Sequence, residues 1–221
     1  MPIECAENAA ARALNVLCLG DALSILDKLI LQLSKMPRIG RRAAGRIAIS
    51  LLSDKIRSAE LLLALDLAMN KINPCKICGC LSESELCEYC ADATRGGTLA
   101  IVRDFSDVLV LEKSGVFHGR YHIIGGLLSG ANGITPDDLN IWNIAERIQA
   151  EGVVEIIFVL PNTMEGKTTQ SYIMSKLVGA ENVDTSVRFS ELASGVPMGG
   201  DLDYIDDGTL TLAFGGRKQI I

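Results

Sequence analysis

The sequence predicts a parallel α/β domain preceded by a metal-stabilised loop and by an N-terminal helical module. Four cysteines form two Cys-x-x-Cys pairs, Cys75–Cys78 and Cys87–Cys90. Upstream of them, apolar residues recur at helical spacing. Downstream, short apolar runs alternate with helical segments, as in a parallel sheet with covering helices. With 221 residues, 48% of them hydrophobic, the chain can form these modules and bury a sizeable core.

The helical module is predicted over residues 23–73, after an Ala-rich extension of residues 1–22. Three helices are expected, over residues 21–34 with Asp21 as cap, over residues 41–52, and over residues 58–72 opened by Ser58. Between the first two helices, the segment Met36-Pro37-Arg38-Ile39-Gly40 breaks the helical pattern. This arrangement is typical of a helix-hairpin-helix. Arg38 stands where the usual hairpin has a second glycine, so either Arg38 takes an unfavourable backbone conformation or the hairpin differs slightly from the usual one.

The basic charge of the chain is concentrated in the same module. Residues 28–57 carry eight basic side chains and one acid, a net charge of +7, whereas the whole chain has a formal net charge of −6. Such asymmetry indicates a local anion-binding surface. In a helix-hairpin-helix the second helix directs its N-terminal N–H groups at a phosphate, which positions the protein on DNA without reading sequence. An ordinary solvated basic face is the alternative. The predicted DNA-binding residues are Lys35, Arg38, Arg41, Arg42 and Arg46.

The cysteine loop, residues 74–91, predicts one structural Zn²⁺ per chain. Four thiolates suit zinc and leave no open position for a catalytic water. The metal would supply folding energy to a loop with little core. The alternatives are two disulfides, which need an oxidising compartment, and a redox Cys-x-x-Cys pair, which usually occurs singly. The ligands are Cys75, Cys78, Cys87 and Cys90, with Cys80 as a spare thiol. Seven cysteines in all favour a reducing cytoplasm, and no apolar run reaches the roughly eighteen residues of a membrane span.

The α/β domain is predicted over residues 97–194, followed by a C-terminal segment, residues 195–221, that forms a packing or exchanged arm. Strands are expected at residues 98–102, 121–124, 153–160 and 183–189, and helices at 107–113, 136–150 and 165–177. The helix at 136–150 contains the single Trp142. The tail has a further helix or strand at residues 209–214.

Several weaker signals do not predict a catalytic site. His118 and His122 are the only histidines, and with no nucleophile pattern nearby they favour surface or strand-edge positions. The segment Glu165–Thr168 lacks the first glycine of a phosphate-binding loop, because Pro161 stands there. The acids between Asp201 and Asp207 are typical of a solvated turn. We therefore assign no catalytic residue.

The ordered set of motifs resembles the RecR family of bacterial recombination mediators, from about residue 23 to the C-terminus. The residues that carry the resemblance are the segment 36–46, the four cysteines, Gly119–Tyr121, Gly133–Asp138, Thr163–Gly166 and Gly195–Gly200. The resemblance implies a Toprim domain, and dimers that join into a tetrameric ring around DNA. It also implies action with RecO and RecF in loading recombinase at single-strand gaps. In the family, the residue matching Arg42 contacts DNA, and Arg46 lies on the same helix.

Two departures from the Toprim pattern bear on activity. Toprim enzymes hold Mg²⁺ with a glutamate after the first strand and an Asp-x-Asp pair after a later one. Here Arg103 stands at the first position, and the later segment carries one carboxylate, Glu165. We therefore expect a non-enzymatic clamp that binds single- and double-stranded DNA, with Glu165 facing a partner protein. The alternatives are a metal-dependent nuclease or strand-transfer enzyme using Glu165 and Asp104, and an adaptor whose basic segment binds an acidic protein.

Overall fold

The computed structural model describes residues 24–180, 183–184, 186–197, 199 and 201–217. The chain divides into two compact units, with the boundary between Asn70 and Lys71. The predicted N-terminal extension and the predicted cap Asp21 lie outside the described residues. Within the described residues, no helix is both long and apolar enough to cross a bilayer.

The first unit is built from three helices, α1 (Ile25–Ser34), α2 (Arg41–Ser53) and α3 (Lys55–Lys71). Ser24 caps α1, and its hydroxyl accepts from the Asp27 N–H at 3.1 Å. The helix α3 begins three residues before the predicted Ser58, because the Asp54 carboxylate accepts from the Arg57 N–H at 3.0 Å. The start predicted at Ser58 was therefore wrong.

The second unit combines a small hairpin with a four-stranded parallel sheet. The hairpin strands are β1 (Asn73–Pro74) and β2 (Leu81–Ser82), followed by the short helix α4 (Glu88–Ala91). The strands of the sheet are β3 (Thr98–Val102), β4 (Arg120–Ile123), β5 (Glu155–Val159) and β6 (Arg188–Glu191). The helices of this domain are α5 (Phe105–Ser114), α6 (Ile144–Glu151) and α7 (Met164–Val178). The order of the strands in the sheet is β4-β3-β5-β6, and all the pairings are parallel.

The central strand β3 sends side chains to two different cores. Leu99 and Ile101 face a core with the apolar residues of α6 and α7, whereas Ala100 and Val102 face a core that contains Val108 of α5 and the cysteine loop. The alternation follows from the two-residue period of a strand. The cysteine loop is therefore a covering layer of the sheet, and its buried sulfurs belong to the domain core.

The segment predicted as one helix at residues 136–150 is divided, so that prediction was wrong. A 3₁₀ turn at Pro136–Asp138 is followed by extended chain, and α6 begins only at Ile144. The physical reason is that the Asn140 N–H donates to the Ile124 carbonyl at 2.9 Å, just beyond the end of β4, instead of to a helical carbonyl. Trp142 lies in this break and is 59% exposed.

The C-terminal part of the chain differs from the prediction at one strand. It also decides between the helix and the strand that were both allowed at residues 209–214. The strand β6 begins at Arg188 and not at Val183, because a turn in which the Val187 N–H donates to the Asp184 carbonyl at 3.1 Å precedes it. In the tail, α8 (Asp207–Gly215) is a helix. Asp206 caps it by accepting from the Thr209 N–H at 2.9 Å. The Asp206 carboxylate therefore stabilises the N-terminal end of α8.

Candidate metal centre and basic hairpin

The first cysteine pair is held in a tight turn against the sheet. The Gly79 N–H donates to the Cys75 carbonyl at 2.9 Å, and Gly79 has a φ of 79°, which favours glycine. The Cys78 carbonyl accepts from the Ile123 N–H at 2.8 Å. A side chain at position 79 would come within 3.3 Å of the Ile123 carbonyl oxygen. The turn is therefore close to β4 as well as tightly wound.

The second pair lies at the start of α4. Cys87 is the N-cap residue of this helix, and its carbonyl accepts from the Cys90 N–H at 3.1 Å. The sulfur atoms of Cys75, Cys78, Cys87 and Cys90 all lie within 4.8 Å of one another. This is the one group of potential metal ligands found among the described residues. The structure thus brings together the four cysteines that the spacing predicted.

The chemistry of this donor set fits a divalent soft cation. Hydrogen bonding with the Cys78 thiol, then with Cys87, raises the pKa of Cys90, whereas contact with Cys78 and the other sulfurs lowers the pKa of Cys87. The four sulfur atoms thus share one small, largely buried space. Four thiolates can be present there together only when a cation balances their charge, and zinc favours this tetrahedral sulfur environment.

A buried arginine that sequence reasoning missed lies behind the cysteine cluster. The Arg147 side chain on α6 is 4% exposed. It donates to the Glu151 carboxylate at 2.6 Å, to the Tyr121 carbonyl at 2.6 Å and to the Cys90 sulfur at 3.8 Å. No spacing signal links residues 57 positions apart, so only the folded chain reveals this contact. Arg147 orients the Cys90 sulfur from outside the ligand set.

The prediction of a surface position for His122 was wrong, although the strand-edge alternative is correct. His122 lies on the edge strand β4, and its side chain is completely buried. Its Nε2 lies 2.7 Å from the Asn140 carbonyl oxygen, and Nδ1 lies 3.3 Å from Arg147 Nη1. Since the arginine can only donate, Nδ1 accepts and Nε2 carries the proton. Burial lowers the pKa of His122 to about 4. His118 is exposed.

A second ion-pair network joins the end of the cysteine loop to the sheet. The Arg95 guanidinium donates to both Glu112 oxygens, at 2.6 and 2.9 Å, and lies 5.0 Å from the centre of the Tyr89 ring. The Tyr121 hydroxyl donates to the same carboxylate at 2.6 Å. The hydrogen bond from Arg95 lowers the pKa of Glu112. This pair is half-buried, and it anchors the chain between α4 and β3 against α5.

The predicted DNA-binding residues lie in the turn between α1 and α2 and at the start of α2. We call this segment, residues 35–46, the basic hairpin. Gly40 is the N-cap of α2 and offers no side chain to the first helical N–H groups, and the first turn contains no acid. Arg38 has a φ of 62°, so the strained backbone conformation, one of the two alternatives at this position, is the one that the structure shows. The five residues predicted to bind DNA all have exposed side chains, and none of them forms an ion pair within the described part of the chain: Lys35, Arg38, Arg41, Arg42 and Arg46.

At the carboxyl end of β3, Arg103 binds the nearby acids. Its Nε lies 2.9 Å from Asp104 Oδ2, and its Nη2 lies 3.6 Å from Asp107 Oδ1. Desolvation raises the pKa of Asp104, but the hydrogen bond from Arg103 and further bonds lower it overall. Asp104 also caps α5. Glu165, in the first turn of α7, is exposed. The described hydrogen bonds and ion pairs include none that joins Glu165 to Arg103 or Asp104.

Comparison with known proteins identifies sequence families along the second unit. The RecR zinc finger domain family, whose description specifies four cysteines, matches residues 72–92. The "Toprim domain" family matches residues 97–188, and "RecR, C-terminal" matches residues 195–218. The zinc finger match covers the cysteine cluster. Together with the sulfur geometry, it identifies a centre for one structural zinc ion.

Relatives that match most of the chain share one name. The chain is 42% identical over 197 residues to "Recombination protein RecR" of Rhodospirillum rubrum, which covers 88% of this chain and 98% of the relative. It is 40% identical over 200 residues to the protein of that name from Ruegeria pomeroyi, and the match covers 88% of this chain and 96% of the relative. The corresponding protein of Caulobacter vibrioides is 40% identical over 195 residues, and the match covers 87% of this chain and 95% of the relative.

Proposed function

Because this chain belongs to the RecR family of recombination proteins, we propose that it is a non-enzymatic mediator of recombinational DNA repair. In this proposal the basic hairpin holds the phosphate backbone of single- or double-stranded DNA without sequence preference. The single observation that carries it is the exposed arginine cluster at the N-terminus of α2, a helix end without a side-chain cap; these arginines form no ion pair among the described residues.

The charge arrangement at α2 is unfavourable unless an anion is present. The positive end of a helix dipole usually attracts acids, yet the N-terminal part of this helix carries Arg41, Arg42 and Arg46 and no acid in its first turn. A phosphate oxygen would accept from the free N–H groups and balance the guanidinium charge at once. We therefore assign DNA contact to these three arginines, with Lys35 and Arg38 flanking them.

Self-association into dimers and a tetrameric ring belongs to the same proposal. The helix α3 has no buried residue, and its leucines are largely exposed, Leu62 by 68% and Leu63 by 64%. Contiguous exposed apolar side chains of this kind are typical of a protein interface. A closed ring would enclose the DNA, so that modest phosphate contacts would suffice to keep the protein bound to it. In the proposed assembly, another subunit would cover these apolar side chains of α3.

The proposed partners are RecO and RecF family proteins at single-strand gaps, where the complex loads recombinase. Glu165 is the residue we assign, as part of this proposal, to a partner contact. It is exposed on α7, and no side-chain hydrogen bond or ion pair of it appears among the described contacts. The proposed location is the cytoplasm, since a structural thiolate cluster requires reducing conditions.

The proposal excludes strand cleavage by the Toprim domain. Metal-assisted cleavage needs carboxylates that are free to hold divalent cations. Here Arg103 supplies a cation where Toprim enzymes have a ligand, and it already pairs with Asp104 and Asp107. Incubation of supercoiled plasmid with the protein and Mg²⁺ should therefore give no nicked product. Nicking that is lost in E165Q would favour the nuclease alternative.

The decisive experiment is a charge reversal in the basic hairpin. The variant R42E/R46E should lose binding to fluorescent duplex and single-stranded oligonucleotides at low salt, while its zinc content and its mass in solution stay unchanged. A matched control is R188E/R217E, which changes the net charge equally at two exposed arginines outside the hairpin. Equal affinities for R42E/R46E and the unaltered protein would refute the DNA-binding role. An adaptor for an acidic protein would show no DNA affinity in any variant.

A further inference from the structure

Asn143 begins α6 but does not cap this helix with its side chain. It is the N-cap residue, a position at which an asparagine side chain usually accepts a hydrogen bond from a backbone N–H of the first turn. Here the side chain forms no such bond. Its Nδ2 instead donates to the Ile77 carbonyl, 66 positions away in the sequence, at 3.3 Å. Asn143 is therefore bonded through its side chain to the cysteine loop and not to its own helix.

This arrangement is unfavourable for α6 taken alone. The first turn of the helix lacks the acceptor that an asparagine side chain can supply. The Oδ1 atom of Asn143 is also buried and accepts no hydrogen bond from the described residues. The reverse orientation of the amide would place Oδ1 against the Ile77 carbonyl oxygen, and two acceptors repel each other. A residue that breaks a local rule in this way is expected where another contact depends on it. The bond to Ile77 is that contact.

The turn of the first cysteine pair is held at two successive carbonyls. Ile77 lies between Cys75 and Cys78, and its carbonyl accepts from Asn143. The next carbonyl, that of Cys78, accepts from the Ile123 N–H at 2.8 Å. One of these bonds comes from the start of α6 and the other from β4. The first cysteine pair therefore cannot move relative to α6 without breaking the bond to Asn143.

The same face of α6 also contacts the second cysteine pair. Asn143 and Arg147 are four residues apart, and residues at this spacing are neighbours on one face of a helix. Asn143 contacts the first pair through Ile77, and Arg147 donates to the Cys90 sulfur at 3.8 Å. A single helix face thus bonds to both halves of the metal centre, and its geometry fixes one half relative to the other.

We propose that Asn143 is a positioning residue of the zinc centre. Its amide holds the Cys75–Cys78 turn on α6, while Arg147 holds the Cys90 sulfur on the same helix, so that α6 sets the separation of the two cysteine pairs. Contacts of this outer kind orient the ligands and typically change metal affinity by roughly 10- to 100-fold. The zinc would then be retained by the sheet domain as well as by the loop that carries its four ligands.

Two substitutions remove the donor and still leave a residue that can cap a helix. Aspartate and serine are both favoured N-cap residues, so α6 itself should be no less stable. The carboxylate has no proton to donate to Ile77, and the serine side chain is one atom too short to reach it. In full-length N143D and N143S, zinc should pass to a chromogenic chelator about tenfold faster. The visible absorption bands of the Co²⁺ forms should shift, because the sulfur tetrahedron is no longer fixed.

Two controls separate this role from added charge and from general loosening of the domain. N162D adds the same charge at an exposed asparagine that bonds to Ser194. T163A removes the cap of α7, where the Thr163 hydroxyl accepts from the Gly166 N–H at 3.2 Å. Both controls should keep the original zinc release and Co²⁺ spectrum.

The outcomes decide the proposal in either direction. Faster release and a shifted spectrum in both Asn143 variants, with neither control affected, would establish the positioning role. Original release and spectrum in N143S would overturn the proposal, because a defect confined to N143D would come from its new charge. An equal increase of zinc release in T163A would also overturn it, because any weakened helix end in the domain would then have the same effect.

Discussion

The Arg147 guanidinium donates to the Cys90 sulfur at 3.8 Å, so that a helix of the sheet domain contacts a ligand of the metal centre. The same guanidinium is held by the Glu151 carboxylate and the Tyr121 carbonyl. Because these bonds fix the arginine on the sheet side, the position of the Cys90 sulfur depends on α6 and β4 as well as on its own loop. The metal centre is thus oriented by residues far away in the sequence.

Replacement of Arg147 by lysine should loosen the metal centre while keeping one positive charge. Lysine cannot reproduce the planar fork that reaches Glu151, Tyr121 and Cys90 together. Loss of such an outer contact typically lowers metal affinity by about tenfold or more. We expect faster transfer of zinc from R147K to a chromogenic chelator. The exposed Arg188 provides the control, and R188K should release zinc at the original rate. Equal rates for R147K and the unaltered protein would contradict the role of Arg147.

The buried His122 should make the protein less stable as the pH falls. Burial, reinforced by Arg147 and opposed by Glu151, lowers its pKa to about 4, whereas an unfolded histidine has a pKa of about 6.5. Between these values the unfolded state binds more protons, so the free energy of unfolding falls from about pH 6.5 to about pH 4. The total effect is on the order of 3 kcal/mol.

Urea unfolding at a series of pH values measures this effect. The variant H122Q should show a shallower pH dependence than H118Q, which alters the exposed histidine. Protonation of the cysteine thiolates at acidic pH affects both variants, so their difference isolates the buried imidazole. Parallel curves for the two variants would show that His122 titrates as it does in the unfolded chain.

The strained backbone at Arg38 allows stability to be separated from DNA affinity. At a φ of 62°, glycine relieves strain worth about 1 kcal/mol, whereas alanine does not. Both R38G and R38A lose the same charge. We expect equally weakened DNA binding in the two variants, with R38G more resistant to urea than R38A. Different DNA affinities at equal stability would mean that the hairpin conformation, and not the charge, determines binding.

Phosphate contact by Arg42 should be visible in the salt dependence of binding. Each lost phosphate contact lowers the slope of log affinity against log salt concentration by about 0.9 for duplex DNA. The variant R42A should therefore bind more weakly at all sequences tested and with a slope smaller by about one. Fluorescence anisotropy at several salt concentrations measures both quantities. The control R188A should keep the original slope, and an unchanged slope in R42A would remove Arg42 from the interface.

Much of the fold and of the candidate site follows from local patterns. The ligands Cys75, Cys78, Cys87 and Cys90 lie within sixteen residues, so their spacing alone predicts a common centre. The strand at residues 98–102 is a short apolar run with the bounds that the structure shows. The strain at Arg38 was one of two predicted alternatives, because a non-glycine residue stands where the usual hairpin has glycine. In each of these cases, the determining residues are neighbours in sequence.

The tertiary structure alone decided which distant residues meet. The single helix predicted at residues 136–150 is interrupted because the Asn140 N–H donates to the Ile124 carbonyl. His122 can be buried because Arg147 and the Asn140 carbonyl form hydrogen bonds with its ring nitrogens. The assignment of the cysteine loop to a face of the sheet has the same origin. Periodicity reports on neighbours along one element, whereas burial and hydrogen-bond partners depend on which elements pack together. The sequence by itself therefore determined the metal ligands and the basic hairpin, and packing decided what surrounds the metal.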